Sequence, residues 1–154
     1  MKWRVIELIV KKMSEDYSVA DQLVESDLAG LKVAGFKSIM CNRPDDEEDD
    51  QTDYQIIEEA ARALGFKTSF TPIESGRVQE DEMRAFSIAV DQLPKPILAY
   101  CRSGMRCTVA WAMDQASRGA TIASLVNIAQ SAGYDLTALQ SHIESSAKQT
   151  TGVS

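Results

Sequence analysis

The stretch PKPILAYCRSGMRCTVAWAMDQASRG, residues 94–119, decides the fold. PILAY reads as a strand, with the prolines confined to its start, where a missing backbone N–H costs least. After the loop, Val109, Ala112, Met113 and Ala116 recur at helical intervals until Gly119 closes the run. The segment from Cys101 to Met105 therefore joins a strand to a helix. In an open parallel sheet, ligands bind beyond the carboxyl ends of the strands, which is where this reading places Cys101.

Working outward, the same alternation repeats. Upstream, FKSIMC supplies a buried strand, FKTSFTP a short strand, and KWRVIELIV and YSVADQL one or two strands at the edge of the sheet. Ser26 is placed to cap a helix over 27–34 that Gly35 ends. DYQIIEEAARAL puts Ile56, Ile57, Ala60, Ala61 and Leu64 on one helical face. EDEMRAFSIAVDQL does the same with Met83, Phe86, Ala89, Val90 and Leu93. Downstream, TIASLVNIAQSAG and YDLTALQSHIESSAK read as two amphipathic helices and QTTGVS as a frayed tail. Strands alternating with helices predict a mostly parallel sheet covered by helices. No repeat or linker divides the 154 residues, so a single domain over 1–154 is expected.

Composition narrows the function. With 23 acidic against 16 basic residues, net charge -7 and no long cluster of Lys and Arg, nucleic acid is not an expected partner. No apolar run is long enough to span a bilayer, and the N-terminal segment mixes charges with its apolar residues before any cleavage site, so no membrane is implied and a cytoplasmic location is expected. The three cysteines, Cys41, Cys101 and Cys107, form no disulfide framework, and the lone His142 leaves no Cys/His cluster for a metal, so free thiols and no cofactor are expected.

The chemistry concentrates at CRSGMR. Backbone N–H groups from Arg102, Ser103, Gly104, Met105 and Arg106, turning into a helix, can face inward and hold an anion beside the positive end of the helix dipole. The same dipoles favour the thiolate of Cys101. Gly104 permits a close backbone approach, and Arg106 offers a planar fork for two oxygens of an oxyanion. The competing reading makes Cys101 a small apolar filler and Arg106 a solvated side chain. Asn42 and Arg43 follow the FKSIMC strand and emerge on the same rim; Arg43 either supports the loop or reaches substrate, or is simply a surface residue at a turn set by Pro44. The acids Asp45 to Asp50 read as a solvated flexible loop. Cys107 is either a packing residue or a thiol able to resolve a modified Cys101. Trp111 lies off its helix's main stripe and points to a contact with the C-terminal helices or another subunit.

DQL, AGFKSIMCNRPDDE, EEAARALGFKTSFTPI and PILAYCRSGMR together resemble the beta-lactamase-hydrolase-like phosphatases, a bacterial branch of the dual-specificity phosphatase-like fold. The resemblance runs from about Tyr17 to about Met113, with the motif-bearing part at about 17–118 and helices over 120–148 completing the chain. It implies a protein-tyrosine-phosphatase-like α/β domain with a central, mostly parallel sheet of four or five strands and about six helices. It implies a phosphatase in which Cys101 attacks phosphorus to form a phosphocysteine while Arg106 holds the phosphoryl oxygens. The loop is similar also to that of rhodanese sulfurtransferases, where the cysteine carries a persulfide, and either a phosphate- or a sulfur-bearing substrate would suit it. A catalytically silent anion-binding module is a third reading.

Three departures from the phosphatase pattern matter. Only four residues separate Cys101 from Arg106, a spacing shared with sulfurtransferases, where the wider superfamily has five. The Ser or Thr usual after the arginine is Cys107, and helical geometry turns the neighbouring Thr108 away. The position of the usual general acid aligns with Ser75, which leaves Glu74, or less directly Glu80 or Asp81, as the candidate.

Overall fold

The computed structural model describes residues 8–151. Five strands, β1 (Lys11–Ser14), β2 (Tyr17–Ala20), β3 (Ser38–Cys41), β4 (Lys67–Phe70) and β5 (Ile97–Tyr100), form one sheet in the order β1-β2-β5-β3-β4. Only the β1–β2 pair is antiparallel. The sheet is flanked by α1 (Leu28–Val33), α2 (Tyr54–Ala63), α3 (Glu80–Gln92), α4 (Met105–Ser117), α5 (Ile122–Ser131) and α6 (Gln140–Thr151). This is the expected single α/β domain, and among the described residues no helix is long and apolar enough to cross a membrane.

Because side chains alternate along a strand, the central β5 serves two cores. Ile97 and Ala99 join Met40, Val19 and the helices α3 to α6 on one face, whereas Leu98 and Tyr100 join Ile39 and the helices α1 and α2 on the other. A sheet buried on both faces explains why β2, β3 and β5 are buried throughout and, apart from Ser18 and Ser38, apolar.

Register places the site. Ala20, Tyr100, Cys41 and Phe70, the last residues of the four parallel strands, are paired across the sheet. The loops that follow therefore leave from one level. They continue the ladder for a step: Cys101 N–H donates to Ala20 O (3.4 Å), Asn42 N–H to Tyr100 O (2.8 Å), and Thr71 N–H to Cys41 O (2.9 Å).

Several expectations need correction. The strand assigned to KWRVIELIV falls partly outside the described residues; Leu8 to Val10 are not strand, and the edge strand is Lys11–Ser14. YSVADQL contributes an interior strand, between β1 and β5, because all four of its strand residues are buried. Ser26 does not cap a helix. It lies inside a 3-10 turn, Glu25–Asp27, and the Asp27 carboxylate accepts from Val24 N–H at 2.8 Å instead. On α2, Ile56 is 40% exposed while Tyr54 is buried, so the buried stripe is rotated from the expected one. Trp111 is buried in its own domain, lining a crevice with Tyr17 and Phe86, and not held out for another subunit. Of the tail QTTGVS, residues 149–151 extend α6 and the rest lie outside the described residues.

Candidate active site

Cys101 follows the last residue of the central strand β5, and Gly104 takes up φ 92°, a left-handed conformation that reverses the chain into α4. The turn brings main-chain donors onto the sulfur: Gly104 N–H lies 3.1 Å from Cys101 Sγ, and the N–H groups of Ser103 and Cys107 add to it. The thiol is 1% exposed, yet its surroundings are polar where it counts. Its pKa is lowered from 9.0 to about 6, first by a hydrogen bond from the Cys107 side chain, then, against the opposing effect of burial, by those N–H groups and the charge of Arg106. Burial and the neighbouring anion push Cys107 the other way, so it stays a protonated donor. One thiolate is thus held by one thiol. Thr108 has no such role: its hydroxyl donates to Gly104 O at 2.8 Å.

Two tyrosines brace the loop from outside. Tyr134, beyond α5, donates from its hydroxyl to Ser103 O (2.9 Å), and Tyr17 on β2 donates to Cys107 O (3.0 Å). Tyr134 comes so close that a side chain at Gly104 would overlap its hydroxyl.

Arg106, in the first turn of α4, reaches over the loop and binds Glu47 through Nη1 (2.7 Å) and Nη2 (2.8 Å), and Ile73 O through Nη1 (2.8 Å). Arg43 is only 2% exposed. It donates to Glu47 from Nε (2.9 Å), to Gln22 from Nη1 (2.9 Å) and to Glu48 from Nη2 (2.7 Å). Glu48 also pairs with Arg102 at 3.2 Å. Buried charges persist where they are paired, and Arg43 is paired on three sides. Arg43 therefore supports the site and is not the surface residue of the competing reading. The hydrogen bonds from Arg106, and behind them Arg43, hold the Glu47 carboxyl down at about 2.

The acidic stretch is exposed at all six positions, as expected of a solvated loop, yet it is tied down by hydrogen bonds. Asp45 accepts from Tyr54 N–H (2.8 Å) at the start of α2, and Gln51 ties the loop to itself through Pro44 O (2.9 Å) and Glu47 N–H (3.1 Å). Asn42 is fully buried and donates to Thr71 O at 2.8 Å, stitching the β3 and β4 loops together. Glu74 is exposed, one residue past the carbonyl that Arg106 binds; its N–H donates to Glu82 at 2.9 Å. Ser75 lies in the same turn, accepting from Arg77 N–H (3.2 Å), while Glu80 pairs with Arg84 (3.2 Å) on α3. Met105 is half-buried at the start of α4.

Of the residues singled out from the sequence, the structure brings Cys101, Arg106, Asn42 and Arg43 to one rim, and it adds Glu47, Glu48, Gln22, Tyr17 and Tyr134, which the sequence did not single out. The Arg43–Glu47 pair at i,i+4 was a faint signal, though in a loop that spacing carries little weight. His142 donates from Nε2 to Val78 O (3.0 Å), a tie between α6 and the residues just before α3, away from the loop. Among the described residues no cluster of His, Cys, Asp or Glu is arranged to hold a metal.

Known proteins resemble this chain in sequence and in fold. A beta-lactamase hydrolase-like protein of Agrobacterium fabrum (strain C58) is 29% identical over 134 residues, covering 86% of this chain and 31% of that protein. The chain thus spans about a third of that relative's length. A crystal structure of a candidate phosphatase from Neisseria meningitidis Z2491 superposes with a TM-score of 0.80 at 29% identity, covering 88% of this chain and 96% of the other. Kinase associated phosphatase, with its catalytic cysteine replaced by serine, shares the fold at a TM-score of 0.73 and 12% identity over 98% of this chain and all of the other. The fold is accordingly tyrosine-phosphatase-like. Since the family model "Beta-lactamase hydrolase-like protein, phosphatase-like domain" matches residues 10–118, most of the domain and the whole loop, the chain belongs to that family.

Proposed function

We propose that this chain is a cysteine-dependent hydrolase of phosphate monoesters, working in the cytoplasm, where its three cysteines stay free. The observation that carries the reading is the Cys101 sulfur 3.1 Å from Gly104 N–H, its pKa lowered to about 6 first by the Cys107 thiol and then by loop N–H groups and the charge of Arg106. The thiolate attacks phosphorus, an S–P bond forms and the P–O bond to the leaving group breaks. The departing oxygen takes a proton from a general acid. Water then attacks the phosphocysteine, orthophosphate leaves, and the electron pair returns to Cys101, where the Cys107 thiol hydrogen bond stabilises it. The loop N–H groups and Arg106 bear the charge of the phosphoryl oxygens in both steps.

Glu74 is the proposed general acid. Glu47 is unsuited to that role, because both its oxygens accept from Arg106 and Arg43, which hold its pKa down at about 2 and oppose its protonation. Glu74→Gln is expected to slow hydrolysis of esters with poor leaving groups, by about 10²-fold or more, while barely affecting p-nitrophenyl phosphate. An equal effect on both classes would remove Glu74 from the mechanism.

Sulfur transfer through a Cys101 persulfide is the second reading, favoured by the four-residue spacing between Cys101 and Arg106. A paired assay separates the two: p-nitrophenyl phosphate hydrolysis and thiosulfate-to-cyanide transfer, each against Cys101→Ser. Hydrolysis abolished by the substitution supports the proposal; transfer without hydrolysis rejects it. Activity in neither, with phosphate still bound, leaves an anion-binding module. In the same protein, inactivation by iodoacetate should gain rate with pH through about 6, not about 9, because lowering the thiol's pKa makes the nucleophile available from that point upward.

A further inference from the structure

The guanidinium of Arg106 has five N–H hydrogens in a fixed plane. Both hydrogens of Nη1 are spent, on Glu47 Oε2 and Ile73 O, and one of Nη2 is spent on Glu47 Oε1. What remains is the Nε hydrogen and the second hydrogen of Nη2. These two are adjacent and parallel along the side edge of the plane, the fork that matches two oxygens of a phosphoryl group. Glu47 thus takes the end of the guanidinium and leaves the side.

From this geometry we infer that Glu47, itself anchored by Arg43, is a positioning residue that turns the free edge of Arg106 toward the oxyanion. The inference rests on the anion-binding reading of the loop and extends it to a residue 59 positions away in sequence. An unpaired long side chain would have to lose its rotamer freedom on every turnover, whereas Arg106 is already fixed at three of its five hydrogens. Arg43 makes Glu47 a firm support: it binds the same Oε1 that accepts from Arg106 Nη2, and its own other nitrogens are tied to Gln22 and Glu48. The opposite role is also conceivable chemically, with the Glu47 carboxylate standing in the place of substrate and departing when phosphate enters. The count of hydrogens argues against it, because the side fork needs no displacement of Glu47.

The test uses the full chain as wild type, Glu47→Gln, Glu47→Asp, Arg106→Ala and the double variant Glu47→Gln/Arg106→Ala. Orthovanadate and orthophosphate binding are measured by titration, and p-nitrophenyl phosphate hydrolysis is resolved into kcat and KM. Glu47→Gln is expected to weaken vanadate binding and lower kcat by about 10- to 100-fold, the usual loss when a residue that orients a ligand is removed, together with a lower melting midpoint, because its other partner, Arg43, is buried. Glu47→Asp, which keeps the charge with a shorter reach, should fall between. In the Arg106→Ala background Glu47→Gln should have no further effect on vanadate binding, since the residue acts through Arg106. Tighter vanadate binding by Glu47→Gln overturns the inference in favour of displacement by substrate; unchanged kcat and vanadate binding, or additivity with Arg106→Ala, overturns it outright. Should the wild type bind phosphate in a Glu47-dependent way without hydrolysing esters, the inference stands and the phosphatase reading falls. Should it bind neither oxyanion, both fall.

Discussion

Arg106→Ala is expected to lower kcat for p-nitrophenyl phosphate by about 10³-fold or more, measured at saturating substrate, with the protein still folded. Fixed charges aimed at transferring phosphoryl groups supply losses of this size when removed, because nothing else in a water-poor site replaces them at the moment charge moves. The substitution also unties Glu47. In the wild type its carboxyl is held at about 2 against an ordinary 4.5, chiefly by Arg106. A group whose pKa falls on folding stabilises the protein above its unfolded value, and that contribution disappears as pH drops from about 4.5 toward 2. Arg106→Ala should therefore flatten the loss of stability between those pH values, read as denaturant midpoints across that range, although Arg43 keeps part of the effect. A variant that retains wild-type kcat would contradict the role given to Arg106, whatever its stability.

Gly104→Ala is expected to damage both activity and stability. The residue sits at φ 92°, where a side chain costs about 1–3 kcal/mol of backbone strain. An added methyl also overlaps the Tyr134 hydroxyl and stands 3.0 Å from its Cζ. Either the loop shifts or Tyr134 leaves Ser103 O, and each moves the N–H that bonds Cys101 Sγ. Misplacing a reacting group by about 1 Å costs roughly 10²-fold in rate, so a comparable fall in kcat is expected together with a lower melting midpoint. The double variant Gly104→Ala/Tyr134→Phe separates the two causes. Removing the hydroxyl should recover part of the stability, because it relieves the overlap, but not the part due to φ. Full recovery would mean that backbone strain contributes nothing at this position.

Legibility followed distance along the chain. The α4 stripe was readable because Val109, Ala112, Met113 and Ala116 face one core, and the β5 strand because both its faces are buried. The Ser26 cap failed since Asp27 sits one residue nearer the helix and its carboxylate bonds Val24 N–H, an arrangement that residue type alone does not favour over its neighbour. Ile56 was assigned to the buried face on spacing, but the side that α2 presents depends on how the sheet meets it. The run from Asp45 to Asp50 was legible only in part, since all six acids are exposed as expected while two of them are paired. Six consecutive acids ordinarily repel one another into solvent, and it takes Arg43 from the same loop together with Arg102 and Arg106 from the β5–α4 junction to pair Glu47 and Glu48.

By itself the amino-acid order determined the alternation of strand and helix, the strand-to-helix junction after Tyr100, and a thiol, a glycine and an arginine concentrated in six residues of it, since each of these is fixed by local periodicity and backbone sterics. Folding decided what surrounds that junction. The parallel register that levels Ala20, Tyr100, Cys41 and Phe70 carries Glu47 to Arg106, and the chain beyond α5 carries Tyr134 to Ser103. No short-range rule encodes such pairings, because they exist only when a sheet buried on both faces brings loops far apart in sequence onto one rim.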